Sequence, residues 1–337
     1  MATPTRVDQI AGTLFGTAIG DALGLYVEGL TAATIARKFG RVDRFLFPFG
    51  LGVLSDDTEQ SALVAEALLM YGHDVDEFEA YLRWLLVKWF WTFPPGIGKA
   101  TFQACLNMTV GSKQVSMTSG GNGAAMRAAV IGTFFPYDSI RRKTFGVRAA
   151  RVTHGNDEAV DGALYVAEVS AACTQAAVYE RYEVVHQAVM SIPYERLHDL
   201  IEKAMTMAEA GATVEYAALE LGCTGYVMHS VALATFCFLR FGADPREALI
   251  QIVSCGGDTD SNAAILGAWL GALHGRSGLP NEWAKHLVEG PINLSKLSRA
   301  LAGEGTEYGG FSYLVGLFRN LLLLPFALVI AIFRLFY

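Results

Sequence analysis

Residues 256–273 read GGDTDSNAAILGAWLGAL. From Asn262 to Leu273 the stretch is almost wholly small and apolar. A helix apolar on every side belongs in an interior. Asp258, Asp260 and Ser261 lead into it. Carboxylates at the start of a buried helix are costly to desolvate unless a cation meets them. The two aspartates are one residue apart, so a single turn can aim both at one point, and Ser261 adds a neutral oxygen.

Outward from this stretch, helical periodicity dominates the chain. Residues 7–19 carry Ile10, Leu14, Phe15 and Ala18 on one face. Similar patterns run over 58–70, 141–152, 158–172, 194–208 and 227–239. Strand-like alternation is scarce and no βαβ rhythm appears, so the fold class is predicted to be all-α, with many helices of ordinary length. Glycine clusters at 50–52, 120–123, 222–225 and 256–257 stand just before helical stretches, where backbone can approach a ligand closely.

The chain has 337 residues, 52 % of them hydrophobic and 18 % charged, with a net charge of −7. That apolar content supports a substantial core. No long Lys/Arg run appears, so nucleic-acid binding through a basic footprint is not supported. Cys105, Cys173, Cys223, Cys237 and Cys255 are odd in number and lack CxxC spacing, which argues against a zinc site or a disulfide framework. Most sit in apolar helical context, as buried thiols do. With no secretory signal visible, a reducing cytoplasm is the expected compartment.

A second acidic motif is Ser55-Asp56-Asp57-Thr58-Glu59. Helix capping explains one or two of these residues. It does not require adjacent aspartates flanked by hydroxyls. A third acid, Glu28, follows an apolar helix in uncharged surroundings. Oxygen-only ligand sets suit hard cations such as Mg²⁺ or Mn²⁺, and several carboxylates can hold two of them about 3.5–4 Å apart. On spacing alone, a metal site and a set of caps and ion pairs both remain open.

Residues 20–28 (GDALGLYVE), Ser55–Thr58, 121–127 (GNGAAMR), Thr153-His154 and Gly256–Asn262 resemble, in this order, the ADP-ribosylglycohydrolase family, which includes the enzyme that reactivates dinitrogenase reductase. The similarity covers about residues 8–290. It implies a compact orthogonal multi-helix bundle with two Mg²⁺ or Mn²⁺ ions at the base of a cleft. It implies Ser55, Asp56, Asp57, Asp258, Asp260 and Ser261 as metal ligands, and Glu28 as a gating or catalytic residue beside Asp56 and Asp57. Gly121, Asn122 and Gly123 would approach the ribose and diphosphate, and His154 the phosphates. Tyr226 matches, loosely, a region where an aromatic ring stacks on adenine. Ser55 and Ser261 replace the family's usual threonines but keep the hydroxyl, and Tyr26 stands where proline is frequent. Arg127 reads either as a structural ion-pair partner or as a phosphate contact. The implied reaction is metal-dependent hydrolysis of the glycosidic bond at the distal ribose of an ADP-ribosylated protein or a small ADP-ribose conjugate. The alternative is a non-catalytic ADP-ribose-binding scaffold of the same fold.

The catalytic domain is expected to span residues 1–303, followed by a glycine-rich linker at 304–310 and a hydrophobic tail at 311–337. The uncharged run 321–333 is shorter than the roughly 20 residues that span a bilayer. Arg319 and Arg334 flank it, and Pro325 is expected to interrupt a straight helix. Peripheral membrane contact, docking in a protein groove and a short tail anchor all fit this segment.

Overall fold

The computed structural model describes residues 4–305 and 307–335, with side-chain surroundings described up to Pro325. The expected all-α class is the one the chain adopts. α1 (Arg6–Gly24) and α2 (Ala32–Phe39) lead to a short strand, β1 (Gly52–Val53), followed by α3 (Asp56–Tyr71), α4 (Val75–Phe90) and α5 (Lys99–Thr109). Next come α6 (Ala129–Phe134), α7 (Ser139–Arg151), α8 (Asp157–Cys173), α9 (Arg181–Met190), α10 (Glu195–Glu209) and α11 (Val214–Leu221). The chain continues through α12 (Val227–Phe241), α13 (Pro245–Ser254), α14 (Thr259–His274), α15 (Asn281–Lys285), the strand β2 (Leu287–Val288), α16 (Leu294–Leu301) and α17 (Tyr313–Leu335). The strands pair in parallel, Gly52 opposite Leu287, as the one sheet among the described residues.

The centre of the molecule is a backbone-to-backbone crossing of α1 and α14. Gly12, Gly16, Gly20 and Gly24 recur every fourth residue along α1, so they share one face. A Cβ at Gly12, Gly16 or Gly20 would lie only 2.1, 2.0 and 2.0 Å from the carbonyl oxygens of Gly271, Gly267 and Ala263. Nothing larger than hydrogen fits there. The pairing runs antiparallel and ends with Gly24 against Thr259, the first residue of α14. It therefore brings the C-terminal end of α1 beside the acidic start of α14. The span Arg6–Val27 is long and apolar enough to cross a membrane, but 83 % of its most apolar 18-residue stretch is buried within the protein. Its apolarity serves the core.

Two helix starts differ from the sequence reading by two or three residues. α3 begins at Asp56 and α14 at Thr259, so Asp56, Asp57 and Asp260 lie inside first helical turns instead of preceding them. The unpaired N–H groups and the positive helix end favour carboxylates there. α3 is buried almost throughout, from Asp56 to Leu68. The expected break at Pro325 does not occur, since α17 runs through it. Residues 336–337, and all side chains beyond Pro325, lie outside what the structure describes of the tail. Its described part turns Leu314, Phe318, Leu321 and Leu322 outward, at i, i+4, i+7 and i+8 on one helical face.

Candidate metal and substrate site

Three segments bring carboxylates to one cleft of about 470 Å³, and a fourth, α1, sets the fully buried Asp21 against Asp57 and Asp260. The turn after α1 contributes Glu28. The start of α3 contributes Asp56 and Asp57, and the start of α14 contributes Asp258, Asp260 and Ser261. The Glu28 loop is fixed to the Gly256-Gly257 loop, because the Gly29 amide donates to the Gly257 carbonyl (2.7 Å) and the Gly257 amide to the Leu30 carbonyl (2.9 Å). Gly257 has φ +74°, and a Cβ on it would meet the Cys223 carbonyl oxygen at 2.2 Å. Only glycine fits this turn. Tyr26, the residue that departs from the family pattern, packs edge-on against Phe39 and Phe47 while Glu28 still lines the cleft.

Ser55 caps α3. Its hydroxyl accepts from the Asp57 amide (3.3 Å) and donates to Asp57 Oδ2 (3.2 Å). Ser261 donates to the same Oδ2 from the other side at 3.2 Å. Oxygens of Asp21, Asp57 and Asp260 all lie within 4.8 Å of one another, as do those of Glu28, Asp258 and Asp260. The two triads share Asp260. Asp21 Oδ1 and Asp57 Oδ1 are buried with no hydrogen-bond partner. Among the described residues, no ion pair reaches Asp21, Asp56, Asp57, Asp258 or Asp260.

Electrostatics follow from that geometry. Burial, then repulsion from neighbouring carboxylates, holds Asp56, Asp57 and Asp260 well above the usual carboxylate range. Burial pushes Asp21 up to about 6, against hydrogen bonds from Thr58 and Ser55 that favour its charged form. Several buried acids with unsatisfied oxygens and no paired cation are the setting that a hard divalent cation relieves. The residues present therefore fit such an ion.

The sequence reading passed over Asp21. It is fully buried, and its Oδ2 accepts from the Ser55 amide (2.9 Å), the Thr58 amide (3.2 Å) and the Thr58 hydroxyl. It thus holds the first turn of α3 from outside the motif. Its signal was a lone acid within the apolar run of α1.

On the substrate side, Gly121, Asn122, Gly123 and His154 line the same cleft. Asn122 donates to Asp258 Oδ2 (2.6 Å) and to the Ser230 hydroxyl (2.9 Å). It therefore orients an acid as well as facing the cavity. Burial, with Arg127 nearby, pushes the His154 imidazole down to about 3. Its Nδ1 meets the Thr153 hydroxyl at 2.8 Å. Arg127 does not reach the cleft. It is buried and donates to Gln60 Oε1 (2.6 Å), the Ala149 carbonyl (2.9 Å) and the Thr153 hydroxyl (2.6 Å). Gln60 in turn donates to Asp56 Oδ2 at 3.0 Å. One buried chain thus links Asp56 to His154, and Arg127 acts in it as a hydrogen-bond hub, with no ion pair among the described residues and no place in the cleft lining. Tyr226 stands behind the cleft wall, where its ring backs Gly120 and its hydroxyl donates to Glu158 Oε2 (2.7 Å). A second cavity of about 460 Å³ beside Arg142 and Glu168 contains none of these residues.

The profile of the family described as ADP-ribosylglycohydrolase matches residues 2–309. An uncharacterised protein of Archaeoglobus fulgidus is 33 % identical over 292 residues, covering 84 % of this chain and 92 % of the relative. The ADP-ribosyl-[dinitrogen reductase] glycohydrolase of Rhodospirillum rubrum is 27 % identical over 301 residues, covering 85 % and 92 %. A solved structure titled as an ADP-ribosylglycohydrolase-related protein complex superposes with a TM-score of 0.64 at 26 % identity, covering 94 % of this chain and 98 % of that one. With its all-helical fold, its paired acidic turns and a family match over nearly its whole length, the chain belongs to the ADP-ribosylglycohydrolase family.

Proposed function

We propose that this protein is a binuclear Mg²⁺- or Mn²⁺-dependent hydrolase that cleaves the glycosidic bond at the distal ribose of an ADP-ribosylated protein or a small ADP-ribose conjugate. The observation that carries the proposal is the pair of carboxylate triads sharing Asp260. Asp56, Asp57, Asp258 and Asp260, with the hydroxyls of Ser55 and Ser261, are the residues that would hold two ions. When bound, such ions supply charge stabilisation at sugar oxygens and a water of lowered pKa.

The chain's own residues do the rest. Asn122 donates to one oxygen of Asp258 and so biases the orientation of that carboxylate. The Gly121 and Gly123 backbone offers close approach to a ribose or diphosphate. His154, held neutral by burial, presents a hydrogen-bonding imidazole without adding a competing charge. Glu28, Asp56 and Asp57 border the cavity and are the acids placed to take a proton from an attacking water.

The test is release of free ADP-ribose from arginine-linked, serine-linked and O-acetylated conjugates, with and without a chelator. We expect release from at least one conjugate, its abolition by the chelator, and a loss of roughly 100-fold or more in Asp57→Asn. Release that persists with chelator, or that Asp57→Asn leaves unchanged, contradicts the metal mechanism.

A cytoplasmic location with peripheral membrane contact through residues 311–337 is part of the same proposal. It is supported by five free cysteines and by the outward apolar face of α17. Exchanging Leu314, Phe318 and Leu322 for serine should lower co-sedimentation with anionic lipid vesicles, and no change in the bound fraction would remove the membrane reading.

A further inference from the structure

α3 carries the metal-motif aspartates on its cleft side and two glutamates, Glu59 and Glu66, that point elsewhere. They are seven residues apart, so they share a face, and both are buried. The C-terminal segment fills that face. Glu66 Oε2 accepts from the Phe311 amide (2.9 Å) and the Tyr308 hydroxyl (3.3 Å). Two turns closer to the cleft, Glu59 Oε1 forms an ion pair with Arg319 of α17, and Glu59 Oε2 accepts from Trp89 Nε1 at 2.7 Å. The Arg319 side chain is 13 % exposed and that of Glu59 only 2 %. Asn320, beside it, donates to both the carbonyl and the hydroxyl of Thr92 at 3.0 Å, and its Oδ1 receives the Arg319 guanidinium (2.7 Å). The guanidinium lies on Gly290, whose φ is +60° and where a Cβ would meet Arg319 Nη1 at 3.1 Å. Arg319 Nη1 is buried with no hydrogen-bond partner, so the ion pair with Glu59 and the bonds to Asn320 Oδ1 are what hold this side chain.

Glu59 follows Asp56 and Asp57 in the same helical turn, and a hydrogen-bonded turn moves as a unit. The family match ends at residue 309, before α17 begins. We propose that Arg319 is a positioning residue of the active site: through Glu59, the C-terminal helix holds the first turn of α3 so that Asp56 and Asp57 face Asp258 and Asp260. The tail is thereby part of the catalytic body, and the inference rests on the divalent-ion reading of the carboxylate cluster.

The experiment is Mn²⁺ titration by calorimetry on the full-length protein, with thermal unfolding recorded alongside. Arg319→Met should weaken Mn²⁺ binding by about 10-fold, because a buried Glu59 left without its partner draws the turn toward water or another donor. Removing both charges, in Glu59→Gln with Arg319→Met, leaves no unpaired buried charge and should restore the unfolding temperature, while Mn²⁺ affinity stays about 10-fold weaker because the link from α17 to the turn is gone. Affinity that stays low in a variant of restored stability distinguishes positioning from general loss of stability. If Arg319→Met binds Mn²⁺ as the wild type does, whatever its unfolding temperature, the proposal is overturned. If Arg319→Met does not fold, the double variant decides: a folded double variant with affinity reduced about tenfold upholds the proposal, and near-normal affinity overturns it. A wild type that binds no Mn²⁺ overturns the metal reading itself, and this proposal with it.

Discussion

Asp21 and His154 show how burial sets the chemistry of single residues. Asp21 organises a turn 34 residues away from within a helix that would otherwise pass for pure core. Nothing in local spacing reveals such a role, because its partners are the Ser55 and Thr58 amides and the Thr58 hydroxyl of a distant motif. The acids that were legible in sequence were those in clusters, Asp56 with Asp57 and Asp258 with Asp260. Repetition of carboxylates before an apolar helix is more than capping requires. His154 is the residue whose titration can be followed. The ordinary imidazole value is 6.5 and burial lowers it here to about 3. Below pH 6.5 the unfolded chain therefore takes up a proton that the folded protein refuses. The group contributes nothing to the pH dependence of stability above 6.5, and lowers stability by about 1.4 kcal/mol for each pH unit from 6.5 down toward 3. NMR of the His154 ring should show no titration between pH 5 and 8. A midpoint above pH 5 would contradict its neutral role in the cleft.

At the scale of elements, the α1–α14 crossing places the two acidic turns. The seven stretches read as helices from apolar periodicity correspond to α1, α3, α7, α8, α10, α12 and α14, and most of their boundaries agree within two or three residues. Their pairing was not legible, because a four-residue glycine spacing says that a close partner exists and not which helix it is. Gly16→Ala tests the crossing. A Cβ 2.0 Å from the Gly267 carbonyl oxygen forces the two backbones apart, although alanine itself favours helix. The expected net effect is a destabilisation of about 1–3 kcal/mol in urea unfolding, with weaker divalent-ion binding because Asp21 and Asp260 ride on the two displaced helices. A variant as stable as the wild type, or more so, would mean that the helices tolerate wider separation. The tail shows the opposite limit of sequence reading. Its apolarity was plain, but Arg319 looked like a flanking charge for a membrane run. Only the fold reveals that it points inward, to Glu59.

For the whole molecule, family membership and the shape of the site agree. Two helical starts, 200 residues apart in the chain, deliver their carboxylates to one cleft, and the glycine loops that border it leave room for a ligand. Divalent ions bound at this cluster should stabilise the fold, since they would offset the repulsion among its carboxylates. Anomalous X-ray diffraction from crystals grown with Mn²⁺ locates the ions. Two manganese peaks in the cleft are expected, within about 2.0–2.4 Å of oxygens from Asp57, Asp258 and Asp260. Crystals soaked in millimolar Mn²⁺ that show no manganese among these carboxylates would contradict the assignment of this cluster as the metal centre.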